Sequence, residues 1–222
     1  MEHLFEVCTG NLPSVAAAVR GGARRIELCS ALPLDGLTPS IGMLQTVRSL
    51  FPTLTIHVLI RPREGDFVYT EEEVLAMEHD IHTMLPFADG FVCGALTPDG
   101  DIDTTAMRRL VGAADGKPVT FHRAFDRCRD PFEALEQIIS LGCRRILTSG
   151  QQPTAKEGIP LLCQLCKQAD GRIIIMPGGG INEHNVRLIA DQTGVTELHG
   201  SASGGKGITC AETVKKIIDS IK

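Results

Sequence analysis

Short apolar runs alternate with amphipathic stretches along the whole chain. The runs have the length and composition of buried β-strands, and the stretches between them carry apolar residues at helical spacing. This pattern predicts eight strands separated by helices. The strands are predicted near residues 4–8, 25–29, 55–60, 89–93, 117–122, 144–148, 172–176 and 195–199.

Four of the amphipathic stretches follow a residue that is typical of a helix N-cap. These residues are Asn11, Ser40, Thr70 and Asp130, the last with Pro131 directly after it. Side-chain oxygens at such positions accept hydrogen bonds from the free N–H groups of the first helical turn. The chain is therefore predicted to alternate strand and helix, as α/β proteins do.

One phrase recurs half-way along the chain. GGARRIEL at 21–28 returns as LGCRRILTSG at 141–150, which indicates an internal repeat. Eight β–α units in a chain of this length have roughly 28 residues each, so the offset corresponds to about four units, or half a barrel. We therefore predict a single-domain (β/α)8 TIM barrel over residues 1–222, with an open doubly wound sheet as the alternative.

Composition narrows the function classes. The chain has 222 residues, 43% of them hydrophobic, and a formal net charge of -5, which argues against a nucleic-acid binder. No apolar run approaches the ~18 residues that a membrane span requires. The N-terminal sequence MEHLFEV has a carboxylate where a secretion signal has basic residues. We expect a soluble, cytoplasmic protein that binds neither nucleic acid nor membrane.

Several predicted strands end in ionisable residues, where a buried parallel strand is normally apolar throughout. Glu6 with Cys8, and Glu27 with Cys29, alternate so that each pair shares one strand face. A carboxylate is costly against the outer helices, so both pairs are expected inside the barrel near its C-terminal mouth, with Arg61 beside Glu27. They either form a buried ion-pair ring that fills the barrel or present balanced charge to a small polar ligand.

The fifth predicted strand ends in an imidazole, a guanidinium and a carboxylate, in the phrase VTFHRAFD. His122 is the best candidate for moving a proton, because histidine titrates near neutral pH and a nearby carboxylate such as Asp126 can fix its tautomer. The alternative is a core histidine whose hydrogen bonds are satisfied. The predicted catalytic mouth thus comprises Glu6, Glu27, Arg61, His122 and Asp126.

Two glycine-rich loops follow the seventh and eighth predicted strands, in MPGGGIN (176–182) and GSASGGKG (200–207). Glycine lets backbone N–H groups approach an anion closely, and phosphate sites of TIM barrels are commonly built from these two loops. Gly179, Gly180 and Ser201 are therefore predicted to bind an anion, with Lys206 nearby. Either loop alone is equally explained as a turn.

Cys8 and Cys29 end neighbouring predicted strands, so their sulfurs are expected to approach each other at the barrel rim. Two thiolates suit a soft metal ion such as Cu(I). Buried cysteine is also common without any metal, and the sequence shows no obvious third ligand.

The phrases EVC, GGARRIELCSAL, IRPREGDFVY, DGFVCGALTPDGDID, PVTFHRAFD and IMPGGGI closely resemble those of the CutC family of copper homeostasis proteins. The resemblance implies a cytoplasmic (β/α)8 barrel that forms a homo-oligomer, either a dimer or a tetramer, and takes part in intracellular copper handling. The cysteines proposed to bind Cu(I) in an animal member match Cys8 and Cys29.

Two hypotheses follow from the sequence. The first is a copper homeostasis protein that binds Cu(I) through Cys8 and Cys29. The alternative is a TIM-barrel enzyme that acts on a small anionic or phosphorylated metabolite at the C-terminal mouth, and the sequence leaves open whether the chain is an enzyme.

Overall fold

Eight parallel strands alternate with eight helices in the computed structural model, which describes residues 3–203 and 207–222. The strands are β1 (Leu4–Thr9), β2 (Arg25–Leu28), β3 (Thr55–Leu59), β4 (Gly90–Cys93), β5 (Val119–Phe121), β6 (Arg145–Thr148), β7 (Ile174–Pro177) and β8 (Glu197–Gly200). The helices are α1 (Leu12–Arg20), α2 (Ile41–Leu50), α3 (Glu71–Met84), α4 (Thr104–Ala113), α5 (Pro131–Ser140), α6 (Ile159–Ala169), α7 (Val186–Thr193) and α8 (Ala211–Ser220).

The strands pair in chain order, and β8 returns to β1. A parallel bridge between Gly178 and His199 links the end of β7 to β8, so the sheet closes into a barrel. All strand pairs are parallel, because each connection crosses over through a helix. The predicted (β/α)8 barrel is confirmed, and the alternative of an open doubly wound sheet is wrong.

The helix starts follow the predicted capping chemistry. The side chains of Asn11, Ser40, Thr70 and Asp130 each accept a backbone N–H from the first turn of α1, α2, α3 and α5. Thr70 also forms a full capping box with Glu73. Among the described residues, no helix is long and apolar enough to cross a membrane.

The two faces of each strand differ in chemistry. Residues that point outward, such as Val7, Ile26, Ile56 and Phe91, are apolar and fully buried against the helices. The alternate positions point into the barrel, and many of them are charged or polar there. The core that stabilises the fold therefore lies between sheet and helices, whereas the barrel interior holds a set of paired ionisable groups.

The internal repeat has a structural counterpart. Gly22 and Gly142 adopt φ of 94° and 82° just before β2 and β6, which lie four strands apart in the barrel. In each copy the second arginine, Arg25 or Arg145, opens the strand and is buried. Both side chains reach the same acceptor, Glu197 on β8.

Candidate functional site at the C-terminal mouth of the barrel

The lower part of the barrel interior is an ion network. Arg25 lies between two carboxylates, donating to Glu197 and placing its Nε 2.6 Å from Glu6 Oε2. The Nε of Arg145 lies 2.6 Å from Glu197 Oε2. We call the following residues the lower ion network: Glu6, Arg25, His57, Arg145 and Glu197.

Glu6 is the centre of this network and has no exposed surface. Besides Arg25, it lies 3.1 Å from His57 Nδ1 and accepts a hydrogen bond from His199 Nδ1 at 2.9 Å. Burial alone would raise the pKa of its carboxyl group, but hydrogen bonds with the two histidines and the charge of Arg25 outweigh it and hold the pKa well below its usual range. Glu6 is therefore an ionised anchor beneath the mouth.

His199 connects the lower ion network to the layer above it. Its Nδ1 faces Glu6, and its Nε2 lies 3.6 Å from Glu27 Oε2. Burial lowers the pKa of His199, yet contacts with Cys8 and Glu6 and the charge of Glu27 raise it well above its usual value. Burial raises the pKa of Glu27, whose nearest cation is this imidazole. The two carboxyl groups thus differ in acidity although they lie on adjacent strands.

Cys8 and Cys29 meet just above Glu27. Their sulfurs are 3.3 Å apart, and Cys29 Sγ is 3.9 Å from Glu27 Oε2. Within the described part of the chain, Cys8, Glu27 and Cys29 form the one group of three residues whose potential ligand atoms all lie within 4.8 Å of one another. We refer to Cys8 and Cys29 as the dithiol. Their predicted proximity is confirmed.

Both thiols are held in the protonated form. The hydrogen bond with Cys29, followed by burial, raises the pKa of Cys8 well above its usual value. For Cys29, the hydrogen bond with Cys8 lowers the pKa, but burial and the charge of Glu27 outweigh it and raise the pKa overall. A metal ion that binds here has to displace these protons.

A cavity of about 590 Å³ opens above the dithiol, at the C-terminal end of the barrel. We call it the mouth cavity. It is lined by the dithiol and Glu27 at its base and by residues of the loops after β2 to β5 around it. Its lining includes the side chains of Cys8, Glu27, Cys29, Leu59, Arg61, Phe67, His122, Asp126, Leu147 and His199.

Arg61 forms part of the wall of this cavity and is 4% exposed. Its guanidinium donates to the carbonyl oxygens of Leu34, Gly36 and Gly65, at 2.9 to 3.0 Å. It makes no ion pair with Glu27, although both side chains line this cavity. The reason is that the loops after β2 and β3 turn their carbonyl groups inward, and the guanidinium donates its hydrogen bonds to them.

His122 is the second polar residue of the wall. Its Nδ1 accepts the backbone N–H of Ala124 at 3.2 Å, so the ring proton belongs on Nε2. Burial, followed by the charge of Arg61, lowers the pKa of His122 to about 3. The imidazole is therefore neutral at physiological pH, and its tautomer is fixed by the backbone instead of the carboxylate expected from the sequence.

Asp126 lies at the rim, where its carboxylate binds the loop after β6. It accepts the backbone N–H groups of Ser149 and Gln151 at 3.0 and 3.2 Å and pairs with Arg123 Nε at 2.8 Å. The hydroxyl groups of Thr148 and Ser149 donate to it as well. Asp126 thus serves as the anchor of a loop, and its lone pairs are already used.

The predicted anion-binding residues lie outside the lining of the mouth cavity. Gly180 O accepts hydrogen bonds from Asn182 and Asn185, and Gly179 O accepts the N–H of Ala155. Ser201 is exposed. Lys206 lies outside the described residues. An anion site on these two loops stays a prediction.

The structure thus brings together Cys8, Glu27, Cys29, Arg61, His122 and Asp126 around one cavity and places Glu6 below it. Sequence reasoning missed Phe67, whose ring packs against His122 at 4.9 Å between centroids and beneath the Arg61 guanidinium at 5.1 Å. It also missed the lower ion network around Arg25, Arg145 and Glu197. The repeated Arg-Arg pair was the available signal for that network.

Comparison with known proteins settles the family. The family model described as CutC family matches residues 3–204. The chain belongs to the CutC family. A CutC protein of Parabacteroides distasonis is 53% identical over 91% of this chain and 84% of its own length. The human copper homeostasis protein cutC homolog is 45% identical over 99% of this chain and 86% of its own length.

Solved structures agree with this membership. The crystal structure of CutC from Streptococcus agalactiae superposes with a TM-score of 0.86 at 35% identity, over 90% of this chain and 98% of that one. Phosphoribosyl anthranilate isomerase from Thermotoga maritima superposes with a TM-score of 0.63 at 14% identity, over 99% of this chain and 98% of that one. The second likeness shows the barrel fold alone.

Proposed function

We propose that this CutC-family chain binds Cu(I) through the thiolates of Cys8 and Cys29 and takes part in copper homeostasis in the cytoplasm. The observation that carries the proposal is the 3.3 Å separation of two sulfurs at the base of an open cavity. Relatives named copper homeostasis proteins in human and mouse support it. Copper is the cargo of this site, not a cofactor for a reaction.

The chemistry of the donor set favours a soft ion. Thiolates select Cu(I) over hard cations such as Mg²⁺ or Ca²⁺, which prefer several oxygen ligands. The dithiol offers two sulfurs and one nearby carboxyl oxygen, from Glu27. The contact between His199 and Cys8 favours the thiolate form of Cys8, which helps the sulfur to lose its proton when the metal arrives.

The surroundings suit an exchangeable cargo. Cys8 is half-buried and Cys29 is buried, but both line the mouth cavity, so an ion reaches them from the open end of the barrel. All eight cysteines of the chain are free thiols. A reducing compartment maintains both free thiols and the Cu(I) state, which is why we place the function in the cytoplasm.

Titration with Cu(I) under anaerobic conditions, in competition with a chromophoric Cu(I) chelator, tests the proposal. The wild type is expected to bind copper stoichiometrically, with copper–sulfur distances in X-ray absorption, and the Cys8→Ser, Cys29→Ser double variant is expected to lose this binding. The matched control replaces two other half-buried cysteines, Cys163→Ser and Cys210→Ser, and should leave the affinity unchanged. Equal affinity of wild type and the dithiol variant would refute the proposal.

The predicted homo-oligomer is a separate proposal. Light scattering coupled to gel filtration distinguishes monomer, dimer and tetramer. The same measurement with and without Cu(I) shows whether the metal changes the assembly. A monomer under both conditions would remove the dimer and tetramer predictions.

A further inference from the structure

The mouth cavity is far larger than a copper ion needs. Its volume of about 590 Å³ falls in the range of sites for small organic molecules, which is about 300 to 1,000 Å³. The dithiol takes up only its base. The upper part is bounded by Arg61, Phe67 and His122, which we call the mouth wall.

Arg61 carries a buried charge that no carboxylate balances. Arg25 and Arg145, the other buried arginines, each contact Glu197. In the described part of the chain, Arg61 has no carboxylate oxygen within 4.0 Å, and its hydrogen bonds go to three backbone carbonyl groups. Carbonyl dipoles offset the burial of a charge only in part, and an anion offsets it more fully. Its Nε has no hydrogen-bond acceptor and is buried.

His122 supplies a second buried donor. The ring edge that carries Nδ1 packs against β4, so tightly that a Cβ on Gly94 would lie 2.6 Å from this nitrogen. The other ring nitrogen carries the proton: Nε2–H is buried and has no hydrogen-bond acceptor in the described chain. His122 is 5% exposed and lines the mouth cavity. A neutral imidazole held with its proton on Nε2 offers a donor to a ligand there.

Both donors lie next to one aromatic ring. The Phe67 ring lies 4.9 Å from the imidazole of His122 between centroids and 5.1 Å from the Arg61 guanidinium, and Leu59 and Leu147 line the same cavity. The rim carries charges of both signs, including Asp35 and Arg127, so it favours neither an anionic nor a cationic ligand. The mouth wall favours an anion with an apolar part, because it holds one unbalanced cation, two free hydrogen-bond donors and an apolar surface.

We propose that the mouth cavity binds a small organic carboxylate, whose carboxylate group contacts Arg61 and His122 and whose carbon body packs against Phe67. The site lies beside the dithiol but does not require copper. Carboxylate binding can therefore be tested independently of copper binding.

Calorimetric titration of the metal-free full-length protein tests this site. The probes are benzoate, phenylacetate, L-lactate, L-malate and citrate, with benzamide and lactamide as uncharged counterparts and inorganic phosphate as an anion without a carbon body. At least one carboxylate is expected to bind saturably, and its amide at least about tenfold more weakly, since the amide lacks the charge that Arg61 requires. Absence of saturable binding by every carboxylate, or tighter binding of phosphate than of any carboxylate, would overturn the proposal.

Two variants locate the site. Arg61→Gln and His122→Asn should each weaken the best carboxylate by about tenfold or more, because each removes one donor to a charged acceptor. Arg172→Gln, between α6 and β7, and His79→Asn, on α3, change exposed residues and should bind like the wild type. Equal weakening in the exposed variants, or none in the wall variants, contradicts the assignment.

A spectroscopic measurement on the wild type avoids dependence on variant folding. In protein labelled with ¹⁵N-histidine, the Nε2–H signal of His122 should shift as the carboxylate saturates the site, and the signal of exposed His79 should not. Saturable binding without a shift of the His122 signal would place the ligand elsewhere and refute the site.

Discussion

The lower ion network and the mouth wall are built from the same residue types and use them in opposite ways. In the network, two arginines are matched by the carboxylates of Glu6 and Glu197, so their charges are balanced by ion pairs inside the protein. In the wall, Arg61 and His122 are equally buried but meet backbone groups and aromatic side chains. Burial alone therefore does not mark a functional residue. The marker is a buried charge beside a cavity with no carboxylate paired to it.

Position along the strands explains this difference. Residues of the lower ion network lie within the strands, where the register fixes their neighbours: Glu6 pairs with Arg25 on one side and His199 on the other. Arg61 and His122 follow the last residues of β3 and β5, where loops take over. The strand register thus determines which side chains of the network are neighbours, whereas the contacts in the mouth depend on the conformation of the loops.

The largest expected effect comes from breaking the network at its centre. Glu6→Ala removes the carboxylate that faces Arg25, His57 and His199 at once and leaves the buried Arg25 charge less well balanced. We expect the free energy of unfolding at pH 7 to fall by about 3 to 5 kcal/mol, measured by urea denaturation.

Glu136→Ala is the matched control, because this exposed carboxylate pairs only with Arg172 and Gln168 on the surface. It should change the unfolding free energy much less than Glu6→Ala does. Equal losses in the two variants would show that the network contributes no more than a surface ion pair.

The second effect concerns the loop that Asp126 holds at the rim. Asp126→Ala leaves the backbone N–H groups of Ser149 and Gln151 without their acceptor. We expect a loss of about 2 to 3 kcal/mol in the same denaturation experiment, because a charged acceptor of several hydrogen bonds is removed.

Asp191→Ala serves as its control, since Asp191 forms one exposed ion pair within α7, with Arg187. Hydrogen exchange of the Ser149 and Gln151 amides adds a local measurement: both should exchange faster in the Asp126 variant. Unchanged exchange would mean that the carboxylate does not hold this loop.

The third prediction uses the neutral state of His122. Its folded pKa of about 3 lies below the unfolded value of 6.5, so the unfolded chain binds the extra proton first as the pH falls. The stability that this neutral ring contributes is present above pH 6.5 and is lost as the pH falls from 6.5 toward 3. Relative to His122→Asn, the wild type should lose up to about 1.4 kcal/mol per pH unit in this window.

Urea denaturation of both proteins at several pH values gives the two slopes. Asparagine keeps an oxygen for the Ala124 N–H but does not titrate, which makes it a conservative comparison. Parallel pH dependence of the two proteins would mean that His122 takes up its proton at the same pH in the folded and unfolded states, so that the mouth wall does not hold its ring neutral.

The fold was predictable because its signals are local. Apolar runs placed all eight strands to within two residues, and N-cap residues such as Asn11 and Ser40 marked where helices begin. The alternation of residues along β1 and β2 predicted that Glu6, Cys8, Glu27 and Cys29 point inward. Their positions on adjacent strands predicted that the two sulfurs lie close together, as they do.

The site was less predictable, because its contacts arise from loops. The partners of Arg61 are carbonyl groups of the loops after β2 and β3, which no side-chain pattern reveals. The ring of Phe67 reaches His122 from a neighbouring loop for the same reason. Asp126 was a plausible partner for His122 by sequence, but the short 3₁₀ turn from Arg123 to Arg127 directs its carboxylate to the loop after β6.

The smallest expected effect compares two carboxyl groups on adjacent strands. The pKa of Glu27 is raised, so folding favours its protonated form, and the stability that this form gives declines as the pH rises above the unfolded value of 4.5. The pKa of Glu6 is lowered, so its contribution is present above 4.5 and is lost in acid. At pH 5, Glu27→Gln should change the unfolding free energy by less than about 1 kcal/mol, because the amide keeps the shape of the carboxyl group and its capacity for hydrogen bonds. As the pH is raised, the stability of Glu27→Gln should increase relative to the wild type, and that of Glu6→Gln should decrease. A change of the same sign in both variants would mean that the pKa values of the two carboxyl groups are not shifted in opposite directions.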